Sequence, residues 1–122
     1  MHATNSKKAM RIGVTSQNFR TITGHAGKTR RFLIYESLQA EIRETERLDL
    51  PKELSMHEFS GDSHPLDALD VLIVGSCGQG FMRRMAARGV RVVATSETDP
   101  LKAVSGVVAG AVLPPPGPPH EH

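Results

Sequence analysis

DVLIVGSCGQGFMRRMAARGVRVVATS, residues 70–96, is the stretch that decides the fold of this chain. Val71–Val74 is entirely apolar, as is typical of a short strand that is buried on both faces of a sheet. Apolar side chains then recur with the spacing of one helical face: Phe81, Met82, Met85 and Ala86. Val90–Ala94 returns as a second apolar run. A strand, a loop, a helix and a strand make a βαβ unit, so we expect the two strands to be parallel.

The loop between the first of these strands and the helix is the place where we expect a ligand. It carries three glycines and the only cysteine of the chain: Gly75, Cys77, Gly78 and Gly80. Ligands of open α/β sheets bind beyond the carboxyl ends of the strands. Amide N–H groups at the start of a helix favour an anion such as a thiolate, and a thiolate suits iron in a sulfide cluster. The alternative is that Cys77 is a small residue that fills a tight turn.

Length and composition limit the class of protein. A chain of 122 residues is the size of one domain. The net charge of +2 and the aromatic content of 4% favour neither a nucleic-acid interface nor a base-stacking platform. One cysteine excludes an internal disulfide, and there is neither an apolar signal segment nor a run of about 20 apolar residues. We expect a cytoplasmic protein that binds neither nucleic acid nor membrane, as a monomer or a weak homodimer.

Two further strands are predicted in the amino-terminal half. Met10–Ser16 alternates apolar with smaller or polar residues, and Arg31–Glu36 is a second buried strand. The loop between them, Gln17–Lys28, carries His25 between two glycines. Ser37–Leu50 is ambiguous, because some of its apolar residues have helical spacing, whereas a short link followed by alternating residues would make a hairpin.

The two ends of the chain differ in composition from the middle. Residues 1–9 are polar and small, which predicts a flexible arm before a domain of residues 10–112. Asp99 and Pro100 predict the start of the last helix of that domain, and Gly110 predicts its end. Residues 113–122 contain PPPGPP followed by HEH, which is typical of a disordered polyproline tail. We expect both ends to contribute little to stability.

These elements together predict an α/β fold. Three strands joined as an antiparallel meander and followed by αβα units have the connectivity of ribonuclease-H-like three-layer folds. We expect a five-stranded mixed sheet in which Met10–Ser16 lies between Arg31–Glu36 and Val71–Val74. The loops that carry His25 and Cys77 would then border one crevice, with their side chains roughly 10 Å apart across a ligand-sized pocket.

Three segments resemble the dinitrogenase iron–molybdenum cofactor biosynthesis family, which includes NifX, NafY and the carboxyl-terminal part of NifB. They are RIGVTSQNF (11–19), GHAGKTRRFLIYE (24–36) and DVLIVGSCGQGFMRRMAARGVRVVATSETDPLKAVSGVVAG (70–110). The resemblance implies a ribonuclease-H-like fold without nuclease carboxylates, and it favours the hairpin over Ser37–Leu50. The first-loop motif of the family is usually His-Phe-Gly, and here it is His25-Ala26-Gly27. His25 thereby takes the role of a candidate ligand.

The resemblance also implies a function in nitrogen fixation. The chain would be a non-catalytic carrier of an iron–sulfur or iron–molybdenum cluster in nitrogenase-type cofactor biosynthesis, with cluster-donor and cluster-acceptor proteins as partners. The family motif supports His25 as a metal ligand, whereas Cys77 is a candidate ligand only because of its place in the glycine loop, in a site lined by Gly75, Gly78 and Gly80. One cysteine and one histidine do not complete a four-ligand metal site, but they suit a preformed cluster that is held weakly and released.

Two other functions fit parts of the sequence. Cys77 and Arg83 have the C-x5-R spacing of cysteine phosphatases, in which a thiolate attacks phosphorus and an arginine holds the phosphate oxygens. Asp99 would then be the general acid. Alternatively, the chain is an interaction domain without a cofactor, whose PPPGPP segment binds a partner. The remaining central histidines, His57 and His64, are expected on the surface.

Overall fold

The computed structural model describes residues 9–24, 29–39, 41–54 and 64–116. The elements in chain order are β1 (Met10–Thr15), β2 (Arg31–Leu38), β3 (Glu41–Asp49), β4 (Val71–Val74), α1 (Gln79–Ala87), β5 (Arg91–Ala94) and α2 (Pro100–Val108). Two short 3-10 helices, Lys52–Leu54 and Pro65–Ala68, lie between β3 and β4. None of the helices in the described ranges is both long and apolar enough to cross a lipid bilayer.

The strands form one mixed sheet in the order β3-β2-β1-β4-β5. The pairs β1–β2 and β2–β3 are antiparallel, whereas β4 is parallel to both β1 and β5. The predicted five-stranded mixed sheet with β1 between β2 and β4 is therefore confirmed. The ambiguous stretch Ser37–Leu50 contains the end of β2 and all of β3, so it forms the hairpin and not the helix.

Strand β4 is the centre of the hydrophobic core on both faces of the sheet. Its side chains alternate, because Leu72 and Val74 belong to one buried cluster and Val71 and Ile73 belong to the other. Helix α1 covers the first cluster with Phe81 and Met85. Helix α2 covers the second cluster with its own buried side chains: Ala103, Val104 and Val107. Each large side chain that is fully buried in this way stabilises the fold by about 1.5–3 kcal/mol.

His64 is buried, which makes the expectation of a surface histidine wrong. Only 5% of the residue is exposed, and both ring nitrogens have partners. Nδ1 accepts a hydrogen bond from the main-chain N–H of Leu66 at 3.0 Å, and Nε2 donates to the carbonyl oxygen of Leu54. His64 is thus the N-cap of the 3-10 helix Pro65–Ala68 and ties it to the helix before it. His57 lies outside the described residues.

The predicted tail begins at residue 113, and its first two residues contact the domain. Helix α2 ends at Val108. Gly110, two residues later, has a φ of +78°, and residues 111–116 then run back toward the sheet. Leu113 packs against the α2-side cluster, and the carbonyl oxygen of Pro114 accepts a hydrogen bond from Thr95 Oγ1 at 2.6 Å. Leu113 and Pro114 are thus attached to the domain, the first through its side chain and the second through its carbonyl oxygen. The predicted arm, apart from Ala9, and residues 117–122 lie outside the described ranges.

Candidate functional site

Three loops meet at the carboxyl ends of β1, β4 and β5. They are the first loop, described over residues 16–24, the glycine loop at 75–78, and the third loop at 95–99. The first and third loops are joined by a hydrogen bond from the N–H of Ile22 to the carbonyl oxygen of Thr98, 2.9 Å long. The first loop and the glycine loop are also in contact, since a Cβ atom added at Gly75 would lie 3.4 Å from the nitrogen of Gly24. The first loop is therefore in contact with both the third loop and the glycine loop.

Buried hydroxyl groups hold the first loop against the end of β1. Thr15 Oγ1 donates to the carbonyl oxygen of Thr23 at 2.7 Å, and the N–H of Thr23 donates to the carbonyl oxygen of Thr15 at 2.9 Å. Ser16 Oγ donates to the carbonyl oxygen of Thr21, also at 2.7 Å. Asn18 Oδ1 accepts the N–H groups of Arg20 and Thr21 and so closes the turn. The loop is thus fixed by its own polar groups up to Gly24.

An aromatic ring anchors the outer side of the first loop. Phe19 has a positive φ of 57°, and its ring lies under two guanidinium groups. The guanidinium carbons of Arg31 and Arg47 are 5.4 Å and 5.6 Å from the ring centroid, respectively. Arg31 also pairs with Asp49 at 3.4 Å. The charge of Arg31 is therefore already balanced within the sheet, so it is a poor candidate for holding an anionic ligand.

The predicted ligand His25 lies outside the described residues. The described part of the first loop ends at Gly24, the residue that precedes His25 in the sequence. Gly24 is in contact with Gly75, and Gly75 is two residues before Cys77. A shared cavity between His25 and Cys77 stays a prediction.

Cys77 is partly buried and packs against the α1-side cluster. Burial raises the pKa of the Cys77 thiol above its ordinary value, because the charged form loses hydration. This direction is opposite to the one that the position before a helix predicts. At neutral pH the thiol is protonated, and binding of a soft metal there would release a proton.

The amino-terminal end of α1 is open and carries no negative charge. Its N-cap is Gly78, which has no side chain to accept the first N–H groups, and the first turn contains no acidic residue. A Cβ atom added at Gly78 would meet nothing within 4 Å. Arg83 reaches back over this turn, with Nη2 3.9 Å from the position of a Cβ at Gly80. The helix dipole and Arg83 together make this end of α1 attractive to an anion.

Comparison with known protein families shows the family to which the chain belongs. Residues 8–110 match the family model described as dinitrogenase iron-molybdenum cofactor. The chain belongs to the dinitrogenase iron–molybdenum cofactor family. The matched range contains the five strands and the two α-helices of the described residues, together with the three loops of the candidate site. No curated protein matches the chain.

Solved structures with the same fold include proteins that are described as a dinitrogenase or as a NifB protein. A candidate dinitrogenase from Methanocaldococcus jannaschii is 12% identical, with a TM-score of 0.63, covering 84% of this chain and 91% of the other. A candidate NifB protein from Thermotoga, assigned to the DUF35 family, is 15% identical. Its TM-score is 0.59, and the match covers 93% of this chain and 99% of the other. At these identities the similarity establishes the fold alone.

Within this family domain, no complete metal site is present among the described residues. No three His, Cys, Asp or Glu side chains of residues 9–24, 29–39, 41–54 and 64–116 are grouped so that they could hold a metal ion. Two observations disfavour the interpretation of the chain as a cysteine phosphatase. The raised pKa of Cys77 disfavours the thiolate that a nucleophile requires. Asp99, its candidate general acid, accepts the N–H groups of Leu101 and Lys102 as the N-cap of α2.

The hydroxyl groups that order the loops of this family domain are not among the residues that the sequence predicts for the site. Thr15, Ser16 and Thr95 are buried at the ends of β1 and β5, and each donates its hydroxyl to a main-chain carbonyl. A local signal existed for the first two, since Thr-Ser-Gln-Asn after a strand is a turn composition. No local signal existed for Thr95, because its partner Pro114 is 19 residues away.

Proposed function

We propose that this chain binds an iron–sulfur or iron–molybdenum cluster at the carboxyl edge of its sheet and carries it during nitrogenase-type cofactor biosynthesis. The observation that carries the proposal is the contact between Gly24 and Gly75, whose nitrogen and added Cβ would be 3.4 Å apart. This contact brings together the two loops whose sequences contain His25 and Cys77. Membership in a family named for the iron–molybdenum cofactor supports the choice of cargo.

The chemistry of Cys77 supports a weak and reversible hold on the cluster. A thiolate is a soft ligand for iron, but the raised pKa of Cys77 means that a proton must leave before it binds. Cluster affinity therefore rises with pH in the neutral range. With His25 as the second ligand, the protein leaves most cluster positions to the cluster's own sulfides and to its next acceptor, which is what a carrier requires.

The amino-terminal end of α1 supports the binding of an anionic cargo. Gly78 and Gly80 leave its first turn open, and Arg83 lies over it. Reduced clusters and the organic acids that coordinate them are negatively charged, so N–H groups and a guanidinium stabilise them. Gly75 has a different role, since it lies where the glycine loop meets the first loop, and a Cβ atom there would be in van der Waals contact with Thr23 and Gly24.

The same proposal includes the finer assignments of fold and cellular role. The strand order β3-β2-β1-β4-β5, with an antiparallel meander and two parallel additions, supports a ribonuclease-H-like fold. The protein performs no turnover of its own and works in the cytoplasm, as a monomer or weak homodimer. Its partners are the proteins that donate and accept the cluster.

Anaerobic reconstitution tests this function. The chain is incubated with a synthetic iron–sulfur cluster donor, desalted, and measured by optical and electron-spin spectroscopy. Wild-type protein is expected to retain a cluster, and Cys77→Ser and His25→Ala are each expected to retain less. His57→Ala is the matched control, because it removes an imidazole to which neither the sequence nor the family motif assigns a ligand role. Wild-type protein that retains no cluster would contradict the proposal and favour an interaction domain without a cofactor.

A further inference from the structure

The segment after α2 is packed onto the domain at two points. We call residues 111–116 the carboxyl-terminal strap. Leu113 lies so close to α2 that a Cβ atom added at Gly106 would be 2.7 Å from its Cδ2. The carbonyl oxygen of Pro114 accepts hydrogen bonds from Thr95 Oγ1 at 2.6 Å and from the N–H of Ser96 at 3.3 Å. The strap therefore contacts the third loop of the candidate site through Pro114.

Thr95 connects the strap to the end of the sheet. It is 1% exposed, and its N–H donates to the carbonyl oxygen of Val74 at 3.0 Å. Its hydroxyl donates to Pro114 and accepts the N–H of Glu97 at 3.1 Å. Without the strap the Thr95 hydroxyl would lose this acceptor for its proton. The third loop is thus hydrogen-bonded directly to a residue of the strap.

The hydrogen bonds continue from the third loop into the first loop. The carboxylate of Glu97 accepts the N–H groups of Thr98 and Asp99, each at 3.0 Å. The carbonyl oxygen of Thr98 accepts the N–H of Ile22 at 2.9 Å. Ile22 is followed by Thr23 and Gly24, which contact Gly75 of the glycine loop. A contiguous set of contacts therefore joins the strap to all three loops.

We propose that docking of the carboxyl-terminal strap orders the candidate site, with Thr95 as the positioning residue. The docked strap fixes the third loop through Thr95, and the third loop fixes the first loop through Thr98 and Ile22. The ordering of the loops is a property of the unloaded protein. Only its consequence, a higher affinity for the cluster when the strap is docked, rests on the proposed function.

Two shortened chains provide a matched test of the coupling by amide hydrogen exchange. A chain that ends at Pro116 keeps the docked part of the strap, and one that ends at Val112 loses it. The Ile22 amide is expected to exchange roughly five- to tenfold faster in the shorter chain, the factor that corresponds to one net hydrogen bond. Amides within β4 serve as the internal reference. Equal Ile22 exchange in the two folded chains would overturn the proposal.

If the shorter chain does not fold, substitutions at Thr95 test whether the strap is coupled to the first loop. Thr95→Val keeps the shape of the side chain and removes the hydroxyl, whereas Thr95→Ser keeps the hydroxyl. Faster exchange at Ile22 in Thr95→Val, with wild-type exchange in Thr95→Ser, is the expected result. Equal exchange at Ile22 in the two variants would overturn the proposal.

Cluster retention by the same variants separates this inference from the proposed function. Thr95→Val is expected to retain less cluster than Thr95→Ser when both are loaded under identical anaerobic conditions. If wild-type protein retains no cluster, the proposed function fails, and the exchange of Ile22 still decides whether the strap orders the loops. Coupled exchange together with equal cluster retention by both variants would overturn the link between the strap and affinity.

Discussion

The main-chain nitrogen of Gly24 lies 3.4 Å from the position that a Cβ atom of Gly75 would occupy. The two glycines belong to loops that are 51 positions apart in the sequence, and they meet because β1 and β4 are parallel neighbours. This distance is the lower limit of ordinary van der Waals contact, so an alanine fits at position 75, whereas side-chain atoms that extend toward the first loop would displace it. The candidate site depends on this close approach.

Enlarging Gly75 is expected to displace the first loop. Gly75→Ala places a methyl group at the limit of contact and should lower the free energy of unfolding by less than about 1 kcal/mol, whereas Gly75→Val should lower it by about 1–3 kcal/mol through overpacking. Urea unfolding measures both values. Gly78→Ala and Gly78→Val show the effect of the same changes at a glycine whose Cβ would meet nothing within 4 Å, although they also weaken the N-cap of α1. A Gly75→Val protein as stable as the wild type would contradict the contact.

The reactivity of Cys77 is expected to depend on pH with a midpoint above that of an unfolded thiol. Burial raises the pKa of Cys77, so the folded state favours the neutral thiol. The buried neutral thiol therefore makes its full contribution to the free energy of unfolding below the pKa of the unfolded thiol. This contribution is lost as the pH rises through the higher pKa of the folded state. Iodoacetamide labelling of the native and the urea-unfolded chain across alkaline pH gives the two midpoints. A native midpoint below the unfolded one would show that the helix terminus outweighs burial.

Removing the His64 imidazole is expected to destabilise the connection between β3 and β4. His64→Ala loses the cap of Pro65–Ala68 and leaves the carbonyl oxygen of Leu54 without this donor. Together these losses should lower the free energy of unfolding by about 2–4 kcal/mol. His64→Asn keeps a capping oxygen and should recover about 1 kcal/mol of that loss. Chemical denaturation checks this order, and equal stability of wild type and His64→Ala would refute it.

Alanine substitutions at the adjacent residues Leu113 and Val112 test whether the strap is packed against the domain. Leu113 packs against the α2-side cluster, whereas Val112 is 96% exposed. Leu113→Ala should therefore lower the free energy of unfolding by about 1–2 kcal/mol, less than a fully buried leucine would. Val112→Ala should change it by less than about 0.5 kcal/mol. Thermal unfolding of the two variants measures the difference, and equal effects would place Leu113 outside the packed domain.

The sheet was predictable because its signals are local. The apolar run Val71–Val74, the helical spacing after it and the second run at Val90–Ala94 determine a βαβ unit without help from the rest of the chain. The hairpin at Ser37–Leu50 was less certain, since the charged residues of β3 are compatible with a helix. Pairing with β2 decides its conformation, and pairing is a tertiary interaction.

The contacts that build the candidate site were harder to predict because they are long-range. His64 is buried through its bond to Leu54, and Leu113 packs on Gly106, although neither residue type is unusual in a loop. Gly106 weakens helix propensity, and a Cβ atom at this position would require the side chain of Leu113 to shift. The meeting of the glycine loop with the first loop followed from the predicted strand order, but the contact between Gly24 and Gly75 did not.

The protection of Cys77 by bound cargo tests the central claim most directly. Cys77 is the only cysteine, so mass spectrometry of the intact chain reports its alkylation without ambiguity. Protein loaded anaerobically with an iron–sulfur cluster is expected to react with iodoacetamide much more slowly than the same protein before loading, and removal of iron by a chelator should restore the rate. Loaded protein in which Cys77 reacts as fast as in the unloaded chain would contradict a cluster site at the carboxyl edge of the sheet.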